Sequence, residues 1–467
     1  MDRRAFAAGV SAAVLSTPAW ASQPGPDPRD FGAVGDGKTN DLAPFMAALR
    51  AAADARRPLR ISQPLFLGLK NADDSIELRS GARLVFDNGS ITYDYCGSPL
   101  LWGANVSDVK LLRPNIVFSG RMPLHLPPSI GTFFDQRLRP TKGLPGRELM
   151  ATIGFYGCRN IEIISPRFRA ATMAFDRLVS RCIVIGAAPD GSLSRDVIIR
   201  DFEADGFYMG IVAWSVDGLS IQKMRTKRWG QLNTSTYAWE APAHPIYVTP
   251  LGASRNVVAT DLIDEGQEVG PYYGAGSTSY KFTGVERGLC LARLHSLRSA
   301  GLLDFHSRDF SIRDLYWRGG RPEAIAVNKV IRGIPYSKGP GEFSGGEMRN
   351  VTLVLPDGMN DYPVALGGNH PANMDHCLFS NWTLAYGGDR QSSSTPLVVA
   401  SMSNSRWENL RVLAPMMRRQ LVVLRIDNGG AHNRIAATVV GPGSGVARIA
   451  AGKPGDDNEA VIARSLG

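Results

Sequence analysis

The chain has 467 residues, 50 of them glycine and 30 proline, with 20% charged residues and a formal net charge of +9. Such a length leaves room for two or three domains, yet no low-complexity linker or block of like charge divides the sequence. The basic balance favours an anionic partner. Zinc-finger spacing, a basic helix and an RNP-like strand are all missing, which argues against nucleic acid and leaves an acidic polysaccharide as the expected anion.

Residues 2–21 read DRRAFAAGVSAAVLSTPAWA. Arg3-Arg4 and Phe6 precede a short Ala-rich run and then Ala19-Trp20-Ala21, the order of a charged start, an apolar stretch and an A-x-A cleavage site. The paired arginines resemble a twin-arginine signal. The expectation is a signal over residues 1–21 and a mature domain over 22–467, exported to the periplasm or beyond. No later run reaches the roughly 18 apolar residues of a membrane helix.

Next comes DFGAVGDGKTNDLAPFMAALRAAA, from Asp30 to Ala53. Its three glycines permit turns closed to other residues, and Thr39, Asn40 and Asp41 are good helix N-cap types. Leu42, Phe45, Met46 and Leu49 share one face of the helix that follows. A lone amphipathic helix ahead of strands is expected to cover the open end of a strand stack, where unpaired backbone groups invite aggregation.

The rest of the chain repeats short β-type runs, each preceded by a turn signal: RNIEIISPRF from Arg159, RDVIIRDFEADG from Arg195, RNVVATDLIDEG from Arg255, RNVTLVLPDG from Arg349. Aligned on Arg195, Asp217, Arg255, Arg287, Arg308 and Arg349, the phrase recurs at intervals of 22, 38, 32, 21 and 41 residues. This is a unit of about twenty residues with insertions, the mark of a solenoid, and an Ig-like sandwich would lack the recurring phrase. The five cysteines lie scattered, mostly in apolar runs, and are expected to pack in the core.

The DFGAVGDGKTNDLAPFMAAL stretch is similar to the opening segment of the pectate lyase superfamily, and the repeat phrase extends the likeness over about residues 28–440. That resemblance implies a single right-handed parallel β-helix, all-β apart from an N-terminal capping helix. It also implies activity on polysaccharides, by lyases, polygalacturonase-like hydrolases or tailspikes.

Strand alternation supplies the candidate site. With Ile246/Val248, Tyr280/Phe282, Leu303/Phe305 and Ile325/Val327 inward, the outward set is Tyr247, Thr249, Ser279, Lys281, Asp304, His306 and Asn328. A phenol, an amine, a carboxylate and an imidazole on one face can transfer protons. Tyr247, Lys281, His306, Asp304 and His244 are therefore the catalytic candidates. HPIYVTP also resembles a phrase of some β-helix polysaccharide enzymes. Arg225, Arg228, Tyr237, Trp239 and Asn328 are the substrate-binding candidates.

A uronate lyase needs a cation beside the substrate carboxylate, a base and a proton donor, and Lys281 with Tyr247 or His306 meets that need. A polygalacturonase-like hydrolase needs paired carboxylates, and the NTD, DD, GHG and RIK set of that family is missing. Asp261, Asp264, Glu265 and Glu268 form an acidic cluster that fits a solvated turn, hydrolytic carboxylates or a Ca2+ site. Lysis of an acidic glycan is the expected activity; hydrolysis, C5-epimerisation and binding without turnover stay open.

Overall fold

The computed structural model describes residues 18–70, 74–95, 98–121, 151–174, 177–230, 243–266, 278–319, 329–333, 343–356, 363–366, 373–387, 396–399, 401–416, 420–427, 430–449 and 457–465. Thirty of its strands join one sheet, every pairing parallel and between successive coils, and the chain winds as a right-handed β-helix. A short coil shows how. Ser194–Ala213 runs as one bent strand of 20 residues, and Arg195 pairs with Asp217 on the next coil, 22 residues on.

The bends explain the repeat phrase. Asn160, Asp196 and Asn256 take φ of 55°, 53° and 53°, with Gly218 and Gly288 at the equivalent positions on intervening coils. The left-handed region is costly for most side chains and tolerable for Gly, Asn and Asp, so one of these must follow the first residue of the phrase. A second corner carries Asp314, Asn350, Asn381 and Asn409, also left-handed. There the side chains form a ladder: Asn350 donates to Asp314 (2.8 Å), Asn381 to Asn350 (3.1 Å) and Asn409 to Asn381 (3.0 Å). Arg349 belongs to this second corner, since it pairs with Arg313 rather than Arg308. The alignment of Arg349 with Arg308 therefore mixes two corners.

Inside, stacked inward positions make one apolar core, where Phe379 and Trp407 stack at 4.3 Å. Cys158, Cys182 and Cys377 are buried, Cys290 is half-buried, and all four are free thiols; Cys96 lies outside the described residues.

The glycine hook is a bracket for the end of the stack. Asp36 accepts from the amides of Lys38 (2.8 Å) and Thr39 (2.7 Å), while Asp41 accepts from Val34 (2.8 Å) and Gly35 (3.2 Å). Asn40, not Asp41, holds the first turn of the Leu42–Asp54 helix, accepting from Leu42 (3.1 Å). It also exchanges bonds with the Gly68 backbone (3.0 Å each), and Asp41 N–H reaches Phe66 O. The edge strand Pro64–Leu67 thereby gains partners. Phe45, Ala48 and Ala52 are the buried face of the helix; Leu42, Met46 and Leu49 pack at its flanks.

The acidic cluster divides in a way its sequence does not announce. Asp261 pairs with Arg293 and Glu265 with Arg225, as a solvated turn would, and Glu268 lies outside the described residues. Asp264 instead is fully buried. It accepts from Trp229 Nε1 (2.8 Å), Ser279 Oγ (2.7 Å) and Gly266 N (3.0 Å). Burial pushes its carboxyl up to about 6, against the bonds that favour the charged form.

Residues 1–17 of the expected signal also lie outside the described residues. Ala19–Ser22 is a short 3-10 turn, with Ala21 buried against Val85, Leu112 and Ile164. No described helix is long and apolar enough to cross a membrane.

Candidate active site

One side of the coil carries the strands Ile153–Tyr156, Val179–Gly186, residues 207–213, His244–Val248, Tyr280–Phe282, Leu303–Phe305 and Ile331–Gly333, each paired to the next. At the earlier coils its outer surface is apolar and closed. Trp214 lies over Gly186, where an added Cβ would come 2.2 Å from the indole, and Trp102, Tyr156 and Trp214 are all buried.

Beyond Val212 the same column turns polar. Tyr247, Lys281, Asp304 and Arg332 are consecutive Cα partners, stacked at about 4.8 Å per coil. Ile246, Tyr280, Phe282, Leu303, Phe305 and Ile331 alternate with them and are fully buried, as the parity argument requires, but Thr249 and Ser279, outward by the same parity, are buried too, Ser279 against Asp264. Lys281 is half-buried, and its Nζ sits 4.7 Å from the centre of the Tyr247 ring, a cation over an aromatic face. Lys281 is therefore packed, and not the loosely held surface lysine that alternation alone suggests.

Asp304 is fully buried and accepts from Arg332 through Nε (3.1 Å) and Nη2 (2.6 Å). This fork neutralises the carboxylate and fixes the guanidinium, whose side chain stays 29% exposed. Asp304 pairs with Arg332 rather than with His306. His306, on the same face two residues on, is 7% exposed and stands edge-on to Phe343 at 5.4 Å.

His244 is buried at the start of its strand, as its inward parity suggests. Its Nδ1 lies 2.8 Å from Thr278 O and 3.3 Å from Thr278 N, so the Thr278 backbone holds this edge of the ring in either tautomer. Nε2 has no hydrogen-bond partner among the described residues. Burial first, and the Lys281 ammonium second, hold the imidazole well below its ordinary pKa, so it is neutral. Its ring lies 5.1 Å from that of Tyr247.

Other expectations fall elsewhere. Arg225 is a register partner of Glu203 and Ile263 on a different side of the coil, paired with Glu265. Arg228 sits at a corner in the left-handed region, forked onto Asp205. Their proximity in sequence to basic neighbours placed them with the site; their strand does not. Tyr237, Trp239 and Asn328 lie outside the described residues. The strand that pairs with Leu303–Phe305 is Ile331–Gly333, not residues 324–330. That shift hid Arg332, whose signal is a lone arginine between Ile331 and Gly333.

Asp304 is the sole acidic side chain on these seven strands, and it is already paired; the next acidic residue in the column, Glu77, lies on the Ile76–Glu77 strand two coils before Ile153–Tyr156. No group of three or more His, Cys, Asp or Glu able to hold a metal ion occurs among the described residues.

No protein-family model matches the chain, and no curated protein does. Solved structures do. The Streptococcus pneumoniae surface protein and adhesin PfbA aligns with a TM-score of 0.53 and 11% identity, over 94% of this chain and 100% of that one. A hyperthermoactive exopolygalacturonase from Thermotoga maritima aligns at 0.40 and 12%, over 90% and 93%. The Azotobacter vinelandii mannuronan C-5 epimerase AlgE6 A-module aligns at 0.41 and 13%, over 94% and 99%. At these identities the likeness is one of fold. The chain is a right-handed parallel β-helix protein.

Proposed function

We propose that the protein cleaves an acidic polysaccharide by β-elimination at the Tyr247–Lys281–Asp304–Arg332 ladder. The observation that carries this is the pairing inside the ladder. Asp304 is spent on Arg332, so the column offers substrate a phenol and two cations rather than a carboxylate pair. Inverting or retaining hydrolysis needs two carboxylates.

In elimination, the proton alpha to the uronate carboxylate leaves, a C=C bond forms, and the glycosidic oxygen departs with the bonding pair. Arg332, held rigid by Asp304, and Lys281 neutralise the carboxylate and the enolate charge that develops on it. Tyr247 takes part in the proton transfer. His306 borders the same face. His244 is enclosed and steadies Tyr247 without touching substrate. Epimerisation shares the abstraction and differs in returning the proton.

The test incubates the purified protein with a panel of acidic polysaccharides. Elimination yields an unsaturated uronate that absorbs in the ultraviolet. New reducing ends without that absorbance would mean hydrolysis, and an altered sugar without cleavage would mean epimerisation. Retention on the polymer with no product would mean binding alone.

We also propose export of a folded precursor, on the strength of Arg3-Arg4 and Phe6. Replacing both arginines with lysine should strand the precursor in the cytoplasm; undiminished export of that variant contradicts a twin-arginine route.

A further inference from the structure

A groove of about 590 Å³ opens at the first corner, two coils before Tyr247, and its lining includes Asn105, Ser107, Asp108, Arg159, Leu193 and Arg195. We infer that this groove is a second, separate binding site that takes a carboxylate-bearing sugar unit.

Arg159 and Arg195 are Cα partners on adjacent coils, so two guanidiniums rise from strands about 4.8 Å apart. Like charges this close repel. Arg113, Arg225, Arg228, Arg255, Arg293 and Arg332 each have a carboxylate within ion-pair distance. Among the described residues Arg159 and Arg195 have none; Arg287 and Arg308, stacked later at the same corner, have none either, but only Arg159 and Arg195 line the groove.

The fold does not explain them either. The corner demands a left-handed residue at 160 and 196 and nothing of the residue before it. Asp196 is directed to the next coil, where its Oδ1 would meet a Cβ on Gly218 at 3.4 Å.

The rest of the groove sets the ligand class. Asp108 Oδ1 accepts from Asn160 (2.6 Å), a bond that holds the carboxyl below its ordinary value, so Asp108 is an ionised acceptor suited to a sugar hydroxyl. Ser107 and Ser192 add hydroxyls, and Leu193, 37% exposed, adds an apolar surface. A uronate ring engages the cation pair, the acceptor and the apolar surface together. Inorganic phosphate engages the cation pair alone and meets repulsion from Asp108.

The inference concerns binding and stands whether or not the ladder turns substrate over. Calorimetric titration of the full chain with galacturonate, galactose and inorganic phosphate tests it. Galacturonate should bind at least about tenfold tighter than galactose, the scale of a charge-assisted bond. The double variant Arg159→Gln/Arg195→Gln should lose about tenfold or more, with its melting temperature unchanged. Ser192→Trp, which fills the groove and keeps both charges, should show a similar loss. Lys281→Ala weakens the ladder's own hold on a uronate, so the galacturonate binding that remains in that variant reports the groove. Binding in the Lys281→Ala background that survives both groove variants, or that is absent from Lys281→Ala itself, overturns the assignment. Phosphate binding tighter than galacturonate overturns the sugar class.

Discussion

The Lys281 ammonium lies over the Tyr247 ring, 4.7 Å from its centre, although the two residues are 34 apart in sequence. The coil geometry makes them neighbours, since the strands that carry them pair directly. The next two rungs, Asp304 and Arg332, extend the same column.

The Asp304–Arg332 fork should behave asymmetrically. Removing the arginine leaves a fully buried carboxylate without its counter-charge, whereas removing the carboxylate leaves a guanidinium that water reaches. Arg332→Ala should therefore cost about 3 kcal/mol, and Asp304→Asn distinctly less, in denaturant unfolding at neutral pH. Equal costs would show that the pair is not held as described.

Asp264 should make stability depend on pH. Its folded value is about 6 and its ordinary value 3.8, burial being the main cause. A raised carboxyl contributes stability that is fully present below the unfolded value and lost as pH rises through the folded one. The window is therefore about pH 4 to 6, and the loss is about 3 kcal/mol at about 1.4 kcal/mol per pH unit. The stability difference between the native chain and Asp264→Asn should shift in favour of the variant across that window. A difference independent of pH contradicts the assignment.

The cap should be sensitive at Phe45 rather than Leu49, because Phe45 is the large side chain fully buried on that face. Phe45→Asp loses a core aromatic and buries a charge, at a cost of about 4 kcal/mol or more. It should also promote aggregation, since the strand edge beneath loses its cover. Light scattering on heating would check both effects. Leu49→Asp, at the flank, should be milder.

At the second corner, Asn350 serves two needs, a left-handed backbone and a rung in the ladder. Asn350→Val should cost about 2 kcal/mol or more from backbone strain and lost bonds, and Asn350→Gly less, because it relieves the strain. Thermal unfolding of the two variants separates the contributions.

These residues also show what could be read without coordinates. Left-handed corners admit few side chains, so Asn160 and Asn256 announce the coil locally, and the glycine hook with its helix announces the cap. Alternation placed Tyr247, Lys281 and Asp304 because inward residues there are large and apolar. Arg332 escaped because its strand is three residues long and follows an insertion, so no periodicity fixes its register. Arg225 and Arg228 misled because a run of basic residues carries no information about which side of a coil it faces. The burial of Asp264 depends on Trp229 and Ser279, 35 and 15 residues away, a relation visible only once the coils are stacked.

The most direct test of the central claim follows ultraviolet absorbance of unsaturated product from an acidic polysaccharide, comparing the native chain with Lys281→Ala. The ladder predicts product from the native chain and a rate at least about 100-fold lower for the variant, a loss of about 2.7 kcal/mol of transition-state stabilisation, with binding of the polymer largely kept. Native-level turnover by Lys281→Ala, or reducing ends released without unsaturated product, would contradict it.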